Sequence, residues 1–338
     1  MKLLVTGASG FIASHLLPGL LAKGWYVRGA VRNEERLKLL PQRVEGTVVG
    51  DLSLKTDWSA ASRGIDVIVH LAGRAHVLRD CAVEDYYSTN VGASRSLAEA
   101  AARSRVKRLV FVSSVKAMGE RSLADRPWTE EDPCFPQDSY GKSKREAELA
   151  LLEVAKRTPM EIVVLRPPVV YGPGVGANIY RVLRAIERGW PLPLGSVKNR
   201  RSFIFVGNFV DAMIRAMEHS RASGGTFLVS DGKDLSTPEL IRAIAQAFGK
   251  PARLVPVPPV LLRLAGAVLG LSDEVERLLG SLTVDITKIH RLLGSLTVDI
   301  TKIRRLLDWE PPFGMEEGLG RTVQWYKEAT AQVPFASS

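Results

Sequence analysis

A chain of 338 residues that is 46% hydrophobic and 24% charged has the composition of a globular protein, large enough for one domain with an added lobe. This composition excludes fibrous and disordered chains. The formal net charge of +10 favours anionic partners such as phosphates, although a basic solvated surface explains it equally well. Two cysteines without CxxC spacing and five histidines without HExxH spacing predict neither a disulfide framework nor a metal site.

The N-terminal residues MKLLVTGASG leave no room for the apolar core of a signal peptide, which predicts a cytoplasmic protein. The most apolar later stretch, residues 254–271, is interrupted by prolines and Arg263, and it is shorter than the ~20 apolar residues of a spanning helix. We therefore expect no membrane association. No recognition motif or aromatic-rich basic face suggests a nucleic-acid partner.

Short apolar runs alternate with helical patterns through the first two-thirds of the chain. We predict buried strands at residues 3–5, 26–31, 47–49, 67–69, 109–112 and 162–165. Helical patterns lie between them, for example over residues 94–103 and 140–156. This alternation predicts an α/β fold with a Rossmann-type doubly wound parallel sheet over residues 1–166, and a returning segment near 201–230 that adds a strand at 226–229.

After residue 166 the pattern becomes helical and rich in proline, which predicts a smaller substrate-binding lobe over residues 167–330. Within it, residues 277–290 read RLLGSLTVDITKIH and residues 291–304 read RLLGSLTVDITKIR. Each copy of this tandem duplication predicts a helix-ending glycine, a short extended stretch and a new helix near the aspartate. We expect one copy to be dispensable; the rival interpretation is that the extra copy shapes the substrate pocket.

The first predicted strand runs into a glycine-containing turn that opens a helix. Gly7 permits the tight turn, and Gly10 lets the backbone approach a pyrophosphate at the helix N-terminus, beside Ser9, Phe11 and Ile12. The spacing is GxxGxxA in place of GxGxxG, but the strand–turn–helix context is that of a dinucleotide site. Further along this helix, Pro18 is expected to weaken it or kink it.

The second predicted strand ends without the acidic residue that binds a free ribose 2′-hydroxyl. Arg32 stands at its tip and could accept a 2′-phosphate or cover the adenine face, while two glutamates follow closely. The sequence therefore leaves open whether the cofactor is NAD or NADP.

A second constellation predicts proton transfer. Ser113 and Ser114 end a predicted strand, and Tyr140 precedes Lys144 by four residues, which places both on one helix face. A lysine ammonium near a phenol is expected to lower the phenol's pKa, and a nearby serine can bind the reacting oxygen. These three residue types suit the interconversion of an alcohol and a ketone, with Ser114, Tyr140 and Lys144 as the candidate catalytic residues.

Together these motifs resemble the extended short-chain dehydrogenase/reductase family, which contains nucleotide-sugar epimerases and dehydratases. The resemblance covers nearly the whole chain. It rests on the segments TGASGFIASHL, DL, HLAG, YSTN, LVFVSSVKAMGE, YGKSK, LRPPVVYGPG and RRSFIFV.

The resemblance also implies residue roles. It implies cofactor contacts by residues that follow the strands or lie on neighbouring helices: Asp51, Leu52, Leu71, Ala72, Gly73, Asn90, Ser113, Tyr140, Lys144 and Pro167. Substrate binding is implied for Ser114 and Tyr140 at the sugar, and for Asn178 and Arg201 at a nucleotide diphosphate. By the same resemblance we expect a homodimer with a four-helix contact.

Departures from the family pattern narrow the reaction. The family's 4,6-dehydratases carry an Asp-Glu pair after the serine or threonine, whereas Val115 and Lys116 follow Ser114 here. The resemblance therefore implies redox chemistry at C4 of a UDP-hexose, by a 4-epimerase or a 4-ketoreductase. The alternative is a non-catalytic NAD(P)-binding sensor on the same fold, although such proteins usually lose the tyrosine or the lysine.

Overall fold

The computed structural model describes residues 1–74, 82–122, 126–258 and 294–331. Its main sheet has seven strands: β1 (Lys2–Thr6), β2 (Tyr26–Val31), β3 (Glu45–Val48), β4 (Val67–His70), β5 (Arg108–Val112), β6 (Glu161–Arg166) and β9 (Thr226–Leu228). All pairings are parallel, in the order β3-β2-β1-β4-β5-β6-β9. Each predicted strand lies in this sheet, which confirms the predicted fold class.

Helices cover both faces of the sheet. Those described are α1 (Phe11–Ala22), α2 (Glu34–Leu37), α3 (Ser59–Ser62), α4 (Val83–Tyr86), α5 (Ala93–Arg103), α6 (Ser139–Ala155), α7 (Ala177–Glu187), α8 (Val206–Glu218), α9 (Thr237–Phe248), α10 (Thr301–Leu307) and α11 (Met315–Ala331). Leu16 of α1 and Phe209 of α8 are buried on one face, and Leu97 of α5 and Leu151 of α6 on the other. Pro18 lies inside α1, which continues to Ala22.

A second, smaller core lies beyond the main sheet. Strands β7 (Val169–Tyr171) and β8 (Phe203–Phe205) pair in parallel, and the sequence did not predict them. Residues of α7, α9 and α11 pack together in this core, where Leu183, Ile244 and Tyr326 are almost fully buried. The chain then returns to the main core through α8 and β9.

The second copy of the duplicated segment is built into the main core. Leu296 and Val298 are buried and form isolated bridges with Arg201 and Trp128. The backbone N–H of Thr301 donates to the Asp299 carboxylate at 2.6 Å, and α10 begins there. An extended stretch followed by a helix is therefore observed for residues 294–307, whereas the first copy, residues 277–290, lies outside the described residues.

Among the described residues, no helix combines the length and apolarity needed to cross a membrane. The same residues contain no group of three or more His, Cys, Asp or Glu side chains placed to hold a metal ion.

Candidate active site

The turn after β1 requires a glycine at position 7, where its backbone lies close to the end of β4. Gly7 has φ +65°, and a Cβ there would lie 2.9 Å from the backbone nitrogen of Ala72. Gly10 is the N-cap residue of α1 and forms no side-chain hydrogen bond. The first N–H groups of α1 therefore have no side-chain acceptor at the cap. Ser9 precedes this cap, and Phe11 and Ile12 open the helix. The turn therefore fits a pyrophosphate.

The ends of neighbouring strands converge on this turn. Leu71, Ala72 and Gly73 follow β4, and the N–H of Ala72 donates to the Thr6 hydroxyl at 3.1 Å. A Cβ on Gly73 would lie 3.0 Å from Oδ1 of Asn90 and 3.4 Å from Nζ of Lys144. Gly73 lies at the same edge of the sheet as the glycine turn. Asn90 and Lys144, whose polar atoms lie close to Gly73, therefore line that edge too.

At the far end of this edge, Arg32 forms an ion pair with Asp51 at 3.3 Å, with both side chains largely exposed. Leu52 follows and is half-buried. Arg32, where the sequence suggested a 2′-phosphate contact, therefore faces a carboxylate.

Asn90 is placed by an irregular helix. Residues Tyr87–Gly92 form a π-helix between α4 and α5, and Asn90 is buried within it. Its side-chain amide donates to the Ser143 hydroxyl at 2.9 Å and to the Arg74 carbonyl at 3.1 Å, and its Oδ1 accepts the Arg74 N–H. Asn90 thereby joins the β4 end to α6, and neither hydrophobic periodicity nor turn chemistry signals such a π-helix.

Ser113 does not point at the predicted cofactor site. Its hydroxyl donates to the buried carboxylate of Glu148 at 2.6 Å. Glu148 also accepts two hydrogen bonds from Arg166, at 2.9 and 2.6 Å, and one from Arg145. A buried ion pair therefore occupies the space behind the site, and only the backbone of Ser113 remains for the predicted cofactor contact. Pro167 follows β6, and its carbonyl accepts the N–H of Val115.

Ser114, Tyr140 and Lys144 meet at the carboxyl edge of the sheet. Ser114 caps the short 3₁₀ turn Val115–Ala117 by accepting the N–H of Lys116. Its hydroxyl also faces the Tyr140 phenol and acts to lower the pKa of that phenol. Tyr140 lies at the start of α6, which Asp138 caps through the N–H of Gly141 at 2.6 Å. Burial raises the pKa of Tyr140 to about 12, although the bond from Ser114 opposes this shift.

The electrostatics of this set differ from the expectation that Lys144 lowers the pKa of Tyr140. Lys144 is 5% exposed, and its ammonium donates to the Val112 carbonyl at 2.8 Å. Burial lowers the pKa of Lys144 to about 8, and the Glu148 carboxylate opposes that shift. The charges acting on the Tyr140 phenol are instead those of Asp138 and Tyr86, which raise its pKa further.

A cavity of about 530 Å³ opens beside this set. It is lined by Lys116, Met118, Gly119, Glu120, Arg121, Trp128, Pro133, Phe135, Gln137, Arg201 and Gly294. Arg201, predicted to bind a diphosphate, is among them, and its guanidinium donates to the Gly294 carbonyl at 3.2 Å. Asn178 lies instead in the first turn of α7 and is not part of this lining.

The sequence reasoning missed several residues of this cavity. Glu120 and Arg121 follow the serine-containing strand closely, and the spacing of Lys116 and Glu120 is a signal that could have been found. Gly294, at the start of the second repeat copy, also lines the cavity. The second copy therefore contributes to the cavity, while the first copy, residues 277–290, lies outside the described residues.

The fold and site define a class of enzyme. A doubly wound parallel sheet with a glycine turn at its first strand, together with Ser114, Tyr140 and the buried Lys144 at its carboxyl edge, is the arrangement of an extended short-chain dehydrogenase/reductase.

Comparison with known proteins identifies the family. Residues 3–230 match the profile of the NAD dependent epimerase/dehydratase family, and the chain belongs to that family. It is therefore an enzyme of an NAD-dependent class, and its cofactor is a nicotinamide adenine dinucleotide.

Individual relatives match over the full length. The UDP-glucose 4-epimerase of Vibrio cholerae is 39% identical, covering 97% of this chain and 96% of the relative. The N-acetyl-alpha-D-glucosaminyl-diphospho-ditrans,octacis-undecaprenol 4-epimerase of Escherichia coli O157:H7 is 27% identical, covering 96% and 95%. The structure of MoeE5 in complex with UDP-glucuronic acid and NAD superposes with a TM-score of 0.75 at 25% identity, covering 97% of this chain and 100% of that chain.

Proposed function

We propose that this chain is an NAD-dependent UDP-hexose 4-epimerase. The observation that carries the proposal is the grouping of Ser114 with Tyr140 and Lys144 of α6 at the carboxyl edge of the sheet, near a cavity whose lining includes Lys116, Arg121 and Arg201. The 39% identity over nearly the whole chain to a UDP-glucose 4-epimerase supports the same reaction. The E. coli relative named for a 4-epimerase points to the same sugar carbon.

Each residue of the set has a distinct task in this proposal. The hydroxyls of Ser114 and Tyr140 would bind the oxygen on C4, and Tyr140 would move the proton to and from that oxygen. Burial raises the pKa of Tyr140 to about 12, so the phenol is the form that returns a proton to the C4 oxygen, and the phenolate is the form that takes that proton when C4 is oxidised. A bound nicotinamide would supply the hydride exchange with C4. Lys144, lying between Gly73 and the Val112 carbonyl, would hold the nicotinamide ribose.

The cofactor form proposed is NAD. Asp51 already pairs with Arg32 at 3.3 Å, so a 2′-phosphate placed against Arg32 would also approach a carboxylate. The MoeE5 complex, which contains NAD, supports this choice. In this proposal Asp51 binds the adenine edge, and Asn178 and Arg201 bind the diphosphate of the substrate.

Three other functions are less well supported. A 4,6-dehydratase would need an acid–base pair where Val115 and Lys116 stand. A non-catalytic sensor would not need Tyr140 and Lys144 together on α6. A 4-ketoreductase would use the same residues, and the full-length relatives named as 4-epimerases favour epimerisation over it.

A panel of UDP-sugars tests the reaction. The NAD-loaded chain is incubated with UDP-glucose, UDP-galactose and their N-acetylated forms, and the sugars are identified by chromatography. We expect conversion to the C4 epimer without net consumption of NADH. Stoichiometric oxidation of NADH or NADPH with a 4-keto sugar, and no epimer from any 4-hydroxy sugar, would replace the epimerase with a ketoreductase.

We further propose a cytoplasmic homodimer formed through α5 and α6, as the family resemblance implies. The alanine- and leucine-rich faces that suggested this contact pack largely inside the subunit, where Leu97, Ala101, Ala147 and Leu151 are buried. Leu149, 45% exposed on α6, remains available for a partner subunit. Light scattering at micromolar concentration should give twice the chain mass of 37.0 kDa, and a monomer mass would exclude the dimer.

A further inference from the structure

An ion pair in the cavity has no assigned role in the proposed chemistry. Lys116 and Glu120 are four residues apart in the chain, and Nζ of Lys116 contacts Oε2 of Glu120. Their side chains are 17% and 22% exposed, and both line the cavity. We call these two residues the Lys116–Glu120 pair.

The pair has incomplete hydrogen bonding. Oε1 of Glu120 is buried and has no hydrogen-bond partner within the described part of the chain. A buried carboxylate oxygen without a donor is costly, and native proteins nearly always supply one. The ammonium of Lys116 carries three N–H groups, and among the described residues its partners are Glu120 and, at 3.5 Å, Asp138. The pair can therefore accept one hydrogen bond and donate another.

The pair is held rigidly next to the proton-transferring residues. The N–H of Lys116 donates to the Ser114 hydroxyl at 3.2 Å, within the same 3₁₀ turn. A Cβ on Gly141 would lie only 2.4 Å from the Lys116 carbonyl, so the turn rests directly against the residue after Tyr140. Asp138, which contacts the Lys116 ammonium, caps the helix that carries Tyr140. A ligand oxygen bound by Ser114 and Tyr140 thus brings the adjoining atoms of the same ring towards the pair.

We infer that the Lys116–Glu120 pair recognises a hydroxyl of the hexose on a carbon flanking C4, either C3 or the exocyclic C6, an inference that rests on the proposed function. A hydroxyl, which a hexose carries at both of these carbons, donates and accepts at once. Its proton satisfies Oε1 of Glu120 and its oxygen accepts from the Lys116 ammonium. The pair is therefore a specificity device that selects hydroxylated hexoses over deoxy sugars.

The selectivity has a clear physical origin. A deoxy sugar places a C–H group where the hydroxyl was. This C–H group excludes water from the Lys116–Glu120 pair but gives no hydrogen bond to the ammonium or to the carboxylate. Sites built to bind a hydroxyl reject the analogue that lacks it far more strongly than apolar sites reject an extra group. Because this pair is partly exposed, we expect a preference on the order of 10²-fold in kcat/KM, below the limit for fully buried sites.

The test uses the NAD-loaded full chain with UDP-glucose, UDP-3-deoxyglucose and UDP-6-deoxyglucose. The variants are Glu120→Gln and Lys116→Met, and Glu131→Gln is the matched control, because Glu131 is an exposed glutamate that pairs with Lys302 at 3.7 Å. We expect the parent to disfavour one deoxy sugar about 10²-fold. Glu120→Gln should reduce that preference to a few-fold by losing activity on UDP-glucose alone, whereas Glu131→Gln should retain it.

The outcomes separate this inference from the proposed function. A parent that uses both deoxy sugars as well as UDP-glucose overturns the inference, and so does a Glu120→Gln variant that loses activity equally on all three sugars, which indicates a structural role. A parent that does not epimerise any of them contradicts the proposed function instead. In that case calorimetric Kd values for the three sugars decide: equal values overturn the inference, and a preference that Glu120→Gln abolishes supports it.

Discussion

Mild acid is expected to destabilise the fold through one histidine. His70 ends β4 and is completely buried, and its Nδ1 lies 2.7 Å from the Thr6 hydroxyl. Its Nε2 lies 2.8 Å from the Ser94 hydroxyl, which itself donates to the Asn90 carbonyl at 2.6 Å. The Ser94 oxygen must therefore accept from Nε2–H, so Nδ1 carries no proton and accepts from Thr6. Protonation of Nδ1 would break this series of hydrogen bonds.

The size of the effect follows from the pKa. Burial, with a smaller contribution from the Lys144 charge, lowers the pKa of His70 from 6.5 to about 3. Between these two values the unfolded chain binds a proton that the native protein does not bind, so the free energy of unfolding falls as the pH falls. For a single group with this shift, the loss between pH 7 and pH 4.5 is about 2.5 kcal/mol.

Urea unfolding followed by circular dichroism at pH 7 and pH 4.5 measures this loss, in the parent and in His70→Gln. The carboxyls of Glu130 and Asp231, whose pKa values burial raises, act in the opposite direction but equally in both proteins. We expect the parent to lose about 2.5 kcal/mol more than the variant over this interval. Equal losses in the two proteins would refute the reasoning, because His70 would then not titrate on unfolding.

Three further predictions concern the cofactor turn, the buried ion pair and the duplication. Gly7 has φ +65°, and a side chain there would press against the backbone of Ala72, so Gly7→Val should distort the turn. We expect the variant to fold but to lose at least about 10-fold in NAD affinity by calorimetry. Unchanged affinity would contradict the placement of the cofactor at this turn. Arg166→Met should cost about 3 kcal/mol in urea unfolding, and Glu148→Leu added to it should restore part of that loss; additive losses would contradict the pairing. Deleting 277–290 or 291–304 should preserve the melting temperature and turnover, because the products differ only by arginine or histidine at one position; an unfolded or inactive product would show that both copies are needed.

The sheet was predictable because its strands are buried on both faces. Runs such as residues 67–69 and 109–112 are continuously apolar and branched, and they coincide with β4 and β5. The short strands β7 and β8 were missed, since three residues give no periodicity and prolines surround β7. The continuation of α1 through Pro18 was likewise not predictable from local rules.

The site was predictable where glycine or fixed spacing marks it. Gly7 and Gly10 form the predicted turn, and Tyr140 and Lys144 share one face of α6. The use of the Ser113 hydroxyl by Glu148 was missed, because it depends on a residue 35 positions away. The raised pKa of Tyr140 was also missed, since burial is a property of the folded chain and spacing does not reveal it.

The turnover of Tyr140→Phe tests the central claim most directly. The variant removes the hydroxyl that moves the proton at C4 and changes little volume. UDP-glucose is supplied to the parent and the variant at saturating NAD, and the C4 epimer is quantified over time. We predict that turnover falls by about 10²-fold or more while NAD binding is retained. A variant that stays within a few-fold of the parent would contradict the assignment of Tyr140 as the proton-transferring residue.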